Sequence, residues 1–303
     1  MDPLDIPRSR WDASRAESAA VAQRWRTCPD RLALADMFDD LAASSLPIAR
    51  DRAMTLLGDA GWVRRMLAPL TAALAADPLF EPPLKVSRER GRIGAILFDA
   101  PAARVTASVL SARAPAASPA TVVLPGHVSL TRYVRAGRAH LRRWRLAGDR
   151  LDEIAPLFPG DGDVALHDGR SEGHLVAQAE SDVVTLTVIL RAGAGPQMRE
   201  YRIADGAAVR AATTDDAASR TAMLLTLLRV SGRSDAPDVF DAATHDPAPT
   251  ARWSAMREWL ALDAAAALSR LAEMAGSDPD AEVRGVAGET QALVRRKAAS
   301  CRG

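Results

Sequence analysis

Five histidines hold most of the chemistry this chain could offer: His127, His140, His167, His174 and His245. Two of them bracket one short connection. The run His167-Asp168-Gly169-Arg170-Ser171-Glu172-Gly173-His174 has Asp, Gly and Ser at its centre, the residues that tight turns favour. The spacing predicts a hairpin with His167 and His174 on neighbouring strands, where facing side chains come within about 5 Å. Two imidazoles that close are the beginning of a divalent transition-metal site, with His127 or His140 as a third ligand. The competing reading is a plain hairpin whose histidines sit in water.

A second candidate is a basic stretch. Arg132, Arg142, Arg143 and Arg145 fall close together, with Tyr133 and Trp144 interleaved. A sheet face presenting arginines and aromatics can hold an anionic peptide or single-stranded nucleic acid. A protein or peptide is the expected partner, ahead of nucleic acid. The acidic run from Asp149 to Asp168 offers the opposite outcome, a face neutralised by its neighbours.

Other reactive patterns are missing. Gly126-His127-Val128-Ser129 is not the Gly-x-Ser-x-Gly of a nucleophile elbow. Gly160-Asp161-Gly162-Asp163 has the wrong charge for a phosphate loop. Cys28 sits in a helical context and Cys301 in a tail, so neither reads as an activated thiol.

The elements that must position these residues follow from composition and period. The chain has 303 residues, 48% of them apolar, and a formal net charge of +1. That content fits a folded protein of about two domains and argues against disorder. The charge argues against a polybasic or polyacidic protein. Only Lys85 and Lys297 among the 39 basic residues are lysines, and 62 residues are alanine. This bias reads as the coding habit of a GC-rich genome. No apolar run approaches 18 residues, and Met1-Asp2-Pro3-Leu4-Asp5 lacks the features of a signal peptide. A cytoplasmic protein with no membrane partner is the expectation.

Three segments emerge. Residues 1–80 read as a helical block, with Leu34, Met37, Phe38 and Leu41 on one face at helical spacing. Residues 84–213 read as about ten short strands separated by Gly, Pro and Asp, with Arg90-Gly91-Arg92 as the first turn. No helices interrupt them, which predicts an antiparallel β-sandwich or jelly-roll-like middle domain. Residues 215–303 return to helix. There Leu224, Leu225, Leu227 and Leu228 should form a broad buried face. The fold class expected is therefore α+β.

The last segment contains a repeat. Asp246-Pro247 recurs as Asp278-Pro279, 32 residues later, and Arg252 then falls on Arg284 and Ala255 on Ala287. Asp-Pro is expected to start a helix, with Asp capping free amides and Pro in the first turn. The run Asp278-Pro279-Asp280-Ala281-Glu282-Val283-Arg284 resembles the HEAT repeat, a helix pair that stacks into an α-solenoid. The resemblance covers about 55 residues and implies that Arg252 and Arg284 support packing between repeats. Two functions fit these features. The preferred one is a non-catalytic binding or scaffold protein using the HEAT-like segment and the Arg-bearing β domain to hold a protein or peptide. The alternative is a cupin-like metal-dependent enzyme, an oxygenase acting on a peptide or small molecule. Its ligands would be His167, His174 and one of His127 or His140, although no His-x-His motif is present.

Overall fold

The computed structural model describes residues 7–89, 91–113, 119–195, 197–213 and 216–300. The five N-terminal residues, Arg90 and Cys301, named above, lie outside this set. The chain divides into two compact units, residues 1–210 and 211–303.

The first unit opens with four helices: α1 (Arg8–Arg26), α2 (Pro29–Leu41), α3 (Leu46–Gly58) and α4 (Gly61–Ala76). Proline sits in the first turn of α2 and of α3, where its missing amide costs nothing. Twelve strands follow: β1 (Lys85–Glu89), β2 (Arg92–Asp99), β3 (Ala103–Leu110), β4 (Thr121–Leu124), β5 (Val128–Arg135), β6 (His140–Ala147), β7 (Arg150–Leu157), β8 (Val164–Asp168), β9 (Glu172–Gln178), β10 (Val183–Leu190), β11 (Gln197–Arg202) and β12 (Ala208–Thr213). They form a six-stranded sheet, β1-β2-β3-β10-β5-β8, and two three-stranded sheets, β12-β11-β4 and β7-β6-β9. β4 also runs alongside β9, close enough that a Cβ on Gly173 would meet the Val123 carbonyl at 3.1 Å.

Read in chain order, β3 to β10 distribute as β3-β10-β5-β8 on one side and β4-β9-β6-β7 on the other. The hydrogen-bonded pairs β3–β10, β10–β5, β5–β8, β6–β7 and β6–β9 are all antiparallel. Eight strands wound between two sheets in this way are a jelly roll. β1 and β2 extend one sheet beyond it.

The helices and the sheet share a core. The boundary expected near residue 80 separates helices from strands, but it does not separate two cores. Phe38, Leu41, Ala53, Leu57 and Met66 from the helices pack with Val105, Leu130, Leu186, Val188 and Leu190 from the sheet. Arg31 lies over the rings of Trp25 and Phe98 and donates to the Leu97 carbonyl at 3.1 Å. Alternation along the strands puts the other face of the same sheet toward the jelly-roll interior.

The second unit holds α5 (Asp216–Val230), α6 (Pro237–Ala243), α7 (Pro249–Leu262), α8 (Ala264–Ser277) and α9 (Ala281–Ser300). Its core gathers Leu225, Phe240, Met256, Trp259, Leu271 and Met274. The broad buried face expected on α5 is narrower than the leucine count suggests. Leu225 is buried and Leu228 packs beside it, whereas Met223, Leu224, Leu227 and Val230 are exposed. Leucines at 224, 225, 227 and 228 wrap around a helix, and one helical neighbour covers only one stripe.

The two Asp-Pro turns adopt matching geometry. Asp246 accepts from the Ala248 amide and Asp278 from the Asp280 amide, each two residues on. Arg252 donates to the Asp246 carbonyl and Arg284 to the Asp278 carbonyl, each six residues back. Contrary to expectation, these aspartates do not cap the following helices. α7 starts at Pro249 after Ala248, and α9 is capped by Asp280, which accepts from the Glu282 and Val283 amides. The turn occupies the two residues that a direct cap would have used. Arg252 further clasps Asp278 of the next copy through two hydrogen bonds at 2.6 and 2.9 Å, and both side chains are buried. Removing one partner leaves the other charge buried and unpaired. Arg252→Ala should therefore cost the second unit about 3 kcal/mol of stability. Chemical denaturation of the wild type and variant measures it, and a loss below about 1 kcal/mol would show that the clasp is a surface pair.

Candidate functional site

The inner faces of β3, β5 and β10 carry a ladder of hydroxyls. Ser108 on β3 lies opposite Thr185 on β10, with their oxygens 2.8 Å apart. Thr187 on β10 lies opposite Thr131 on β5, at 3.0 Å. Ser129 continues the row. These hydroxyls, with Tyr133, Leu141, Val176, His174 and Arg92, line an open cavity of about 510 Å³. No carboxylate is among its lining residues. This wall lies outside the sites expected from the sequence. Its signal was the alternation in Val183-Val184-Thr185-Leu186-Thr187-Val188, where threonines mark an inner face.

His167 and His174 do meet, but not on one hairpin. β8 belongs to the six-stranded sheet and β9 to the opposite one, so the connection between them crosses the jelly roll. His167 lies opposite Ser129 and His174 opposite Arg143. Their rings stack across the interior with centroids 4.0 Å apart and planes 21° from parallel. Gly169 makes the crossing possible: a Cβ there would strike Pro125 at 2.5 Å and the His127 carbonyl at 2.6 Å. Asp168 holds the turn by accepting from the Arg170 guanidinium.

Both imidazoles are held neutral. Burial, then the neighbouring His174 and Arg143, push His167 down to about 3. His174 keeps an exposed surface toward the open cavity, yet loss of hydration, then Arg143 and Arg92, push it down to about 4. His167 is almost fully buried, and its Nε2 has no hydrogen-bond partner. A buried polar atom without a partner is costly.

The other two candidate ligands stand elsewhere. His140 stacks on Phe158 at 4.9 Å. His127 is half-buried beside Arg104 and Arg191, and burial followed by these cations lowers its pKa. Neither joins the pair, and among the described residues no three His, Cys, Asp or Glu side chains gather as a metal-binding group. The pair itself does not fit a metal. Imidazole lone pairs lie in the ring plane, and two rings stacked this closely to parallel aim them side by side. A shared metal at about 2.0–2.1 Å from each nitrogen needs them to converge. The cations that repel a proton from His174 repel a metal ion too.

The basic stretch does not form an exposed Arg and aromatic surface. Tyr133 and Trp144 are buried. Arg132 reaches the Leu57 and Gly58 carbonyls at the end of α3, a favourable place for a cation. Arg142 pairs with Glu153 and lies over Trp144, while Arg143 and Arg145 share Glu172. Strand register brings these acids in from β7 and β9.

No protein-family model and no curated protein matches the chain. Among solved structures, 44% of the chain is similar to a cupin-superfamily sugar phosphate isomerase from Silicibacter pomeroyi, at 19% identity, TM-score 0.25 and 87% of that chain covered. A cupin-2 domain from Rhodospirillum rubrum matches 44% of the chain at 14% identity and TM-score 0.23, with 76% of that chain covered. Staphylococcus aureus CapF, a capsular polysaccharide assembling protein, matches 37% at 16% identity and TM-score 0.29. The chain spans about a third of the length of CapF. The jelly-roll assignment rests on this chain's own strand order.

Protonation of the pair has a definite sign. Unfolded imidazoles take up protons near 6.5, and the folded ones only near 3 and 4. Between these values the unfolded state binds more protons, so stability falls as pH drops. The urea midpoint should decline from about pH 6.5 toward pH 4 and be insensitive to this pair above pH 7. In His167→Phe the decline should be shallower; an unchanged slope would show that His167 is not buried as a neutral base.

Proposed function

We propose that the jelly-roll cavity binds a small organic anion bearing hydroxyl or carbonyl groups, without a metal. The hydroxyl wall carries this reading: Ser108, Ser129, Thr131, Thr185 and Thr187 line the cavity beside His174, with no carboxylate among the lining residues. Arg92 lines the same cavity and makes no ion pair among the described residues, so a positive charge waits at its edge. The His174 imidazole, five Ser and Thr hydroxyls and one guanidinium suit a carboxylate or phosphate ester with further oxygens. This keeps the small-molecule half of the alternative above and drops its metal.

The second unit supports a separate reading. Its paired Asp-Pro turns repeat the same contacts at a 32-residue offset, and Arg252 ties one copy to the next. We propose that it stacks as HEAT-like repeats do, and that a protein or peptide is its partner.

Thermal-shift and calorimetric titration with a panel of hydroxylated carboxylates and phosphate esters tests the cavity. At least one should raise the melting temperature, and Arg92→Ala should weaken it about tenfold, the equivalent of about 1.4 kcal/mol. Neutral polyols of the same size should bind less tightly. Metal content should be equal in wild type and in the His167→Ala, His174→Ala double variant. Stoichiometric metal lost in that variant would restore the metal-dependent reading.

A further inference from the structure

The six-stranded sheet ends in an edge strand with an unusual charge order. β1 reads Lys85-Val86-Ser87-Arg88-Glu89 and pairs on one side only, with β2. All five residues are exposed. Among the described residues none of Lys85, Arg88 and Glu89 is in a salt bridge. A free edge presents unpaired amides and carbonyls, and proteins commonly block such edges with lysine. Here the blocking charges are self-complementary.

Place a second copy of β1 antiparallel to the first, with the two-fold axis through Ser87. This register lets all five residues find an opposite number. Lys85 then faces Glu89 of the second copy, Glu89 faces its Lys85, and Ser87 faces Ser87. Lys85, Ser87 and Glu89 lie on one face of the strand, so both ion pairs form on that face. Val86 faces Arg88 on the other. There the exposed Val86, Ile93 and Val109 of each copy extend a common apolar strip across the join. A parallel pairing in register would instead set Lys85 against Lys85 and Glu89 against Glu89, and like charges opposite one another repel.

We propose that β1 is the interface through which two copies of this chain pair, joining their sheets edge to edge into one of twelve strands. The partner is selected by the order of charges along the strand. The direction of pairing is selected by the same order.

Sedimentation velocity on the full chain, over a range of concentrations and at low and high salt, reads the outcome. The expected species has twice the 32.2 kDa chain mass and weakens with salt. Lys85→Glu should raise the dissociation constant about tenfold, since two like-charge contacts replace two ion pairs. The swap Lys85→Glu with Glu89→Lys restores complementarity and should bring the dimer back, with circular dichroism confirming that both variants are folded. A monomer at every concentration would overturn the proposal, as would a dimer indifferent to Lys85→Glu.

Discussion

One sheet with two chemically opposite faces organises the first unit. Along β3, β5 and β10, apolar residues alternate with hydroxyls: Val105 with Thr106, Leu130 with Thr131, Val188 with Thr187. The apolar row is buried under α1 to α4 and supplies the hydrophobic free energy of that layer. The jelly-roll interior holds a smaller apolar cluster of its own, around Tyr133, Leu141 and Val183. Its inner wall can be built of Ser and Thr whose hydroxyls satisfy one another across strands. The cavity lies between that hydroxyl row and the apolar cluster, on the side of the sheet away from the helices.

The same division explains the histidines. A neutral imidazole is tolerated in a protein interior when nothing charged must be desolvated with it. The helix-backed sheet delivers His167 to the inner wall, opposite Ser129, and the crossing at Gly169 delivers His174 from the facing sheet. Arg143 is pinned by Glu172 and cannot itself be neutralised by a histidine, so it acts on the pair only as a repulsive charge. Burial and that charge act in the same direction. The result is two lone-pair-bearing bases kept free of protons at neutral pH, able to accept hydrogen bonds.

Much of this was legible in the residues and some was not. Alternation announced the strands, and the separation of helical from β segments followed from a change of period. The closeness of His167 and His174 was also readable, since a short turn joins them. Which sheet each strand enters was not. A turn of Asp, Gly and Ser suits a hairpin and a sheet-crossing arch equally, because both need the same backbone angles, and only the order of all eight strands distinguishes them. The arginine stretch misled for a related reason. Glu153 and Glu172, which neutralise it, are remote in sequence and arrive by register. Tyr133 and Trp144 looked like exposed aromatics only because they stand between arginines, whereas a strand sends neighbours to opposite faces or into different neighbours' cores. On α5 the run of leucines overstated burial, since composition does not reveal how many neighbours a helix has.

The second unit rests on a different constraint, the pairing of a buried arginine with an aspartate from the next copy of its own motif. A buried ion pair adds little to stability over an apolar pair of the same size, but it tolerates no mismatch. Arg252 accordingly fixes register rather than strength. It holds two carbonyls of its own Asp-Pro turn and both carboxylate oxygens of the following one, so a shift of one residue between the copies would strand the charge. Arg284 repeats the inward half of this arrangement at the Asp278 carbonyl. Alanine-rich helices such as α8 present few large side chains by which neighbours could recognise one another, and small residues pack in several registers at similar cost. In such a sequence the specificity of stacking has to come from a polar lock, and the repeated Asp-Pro and Arg supply it.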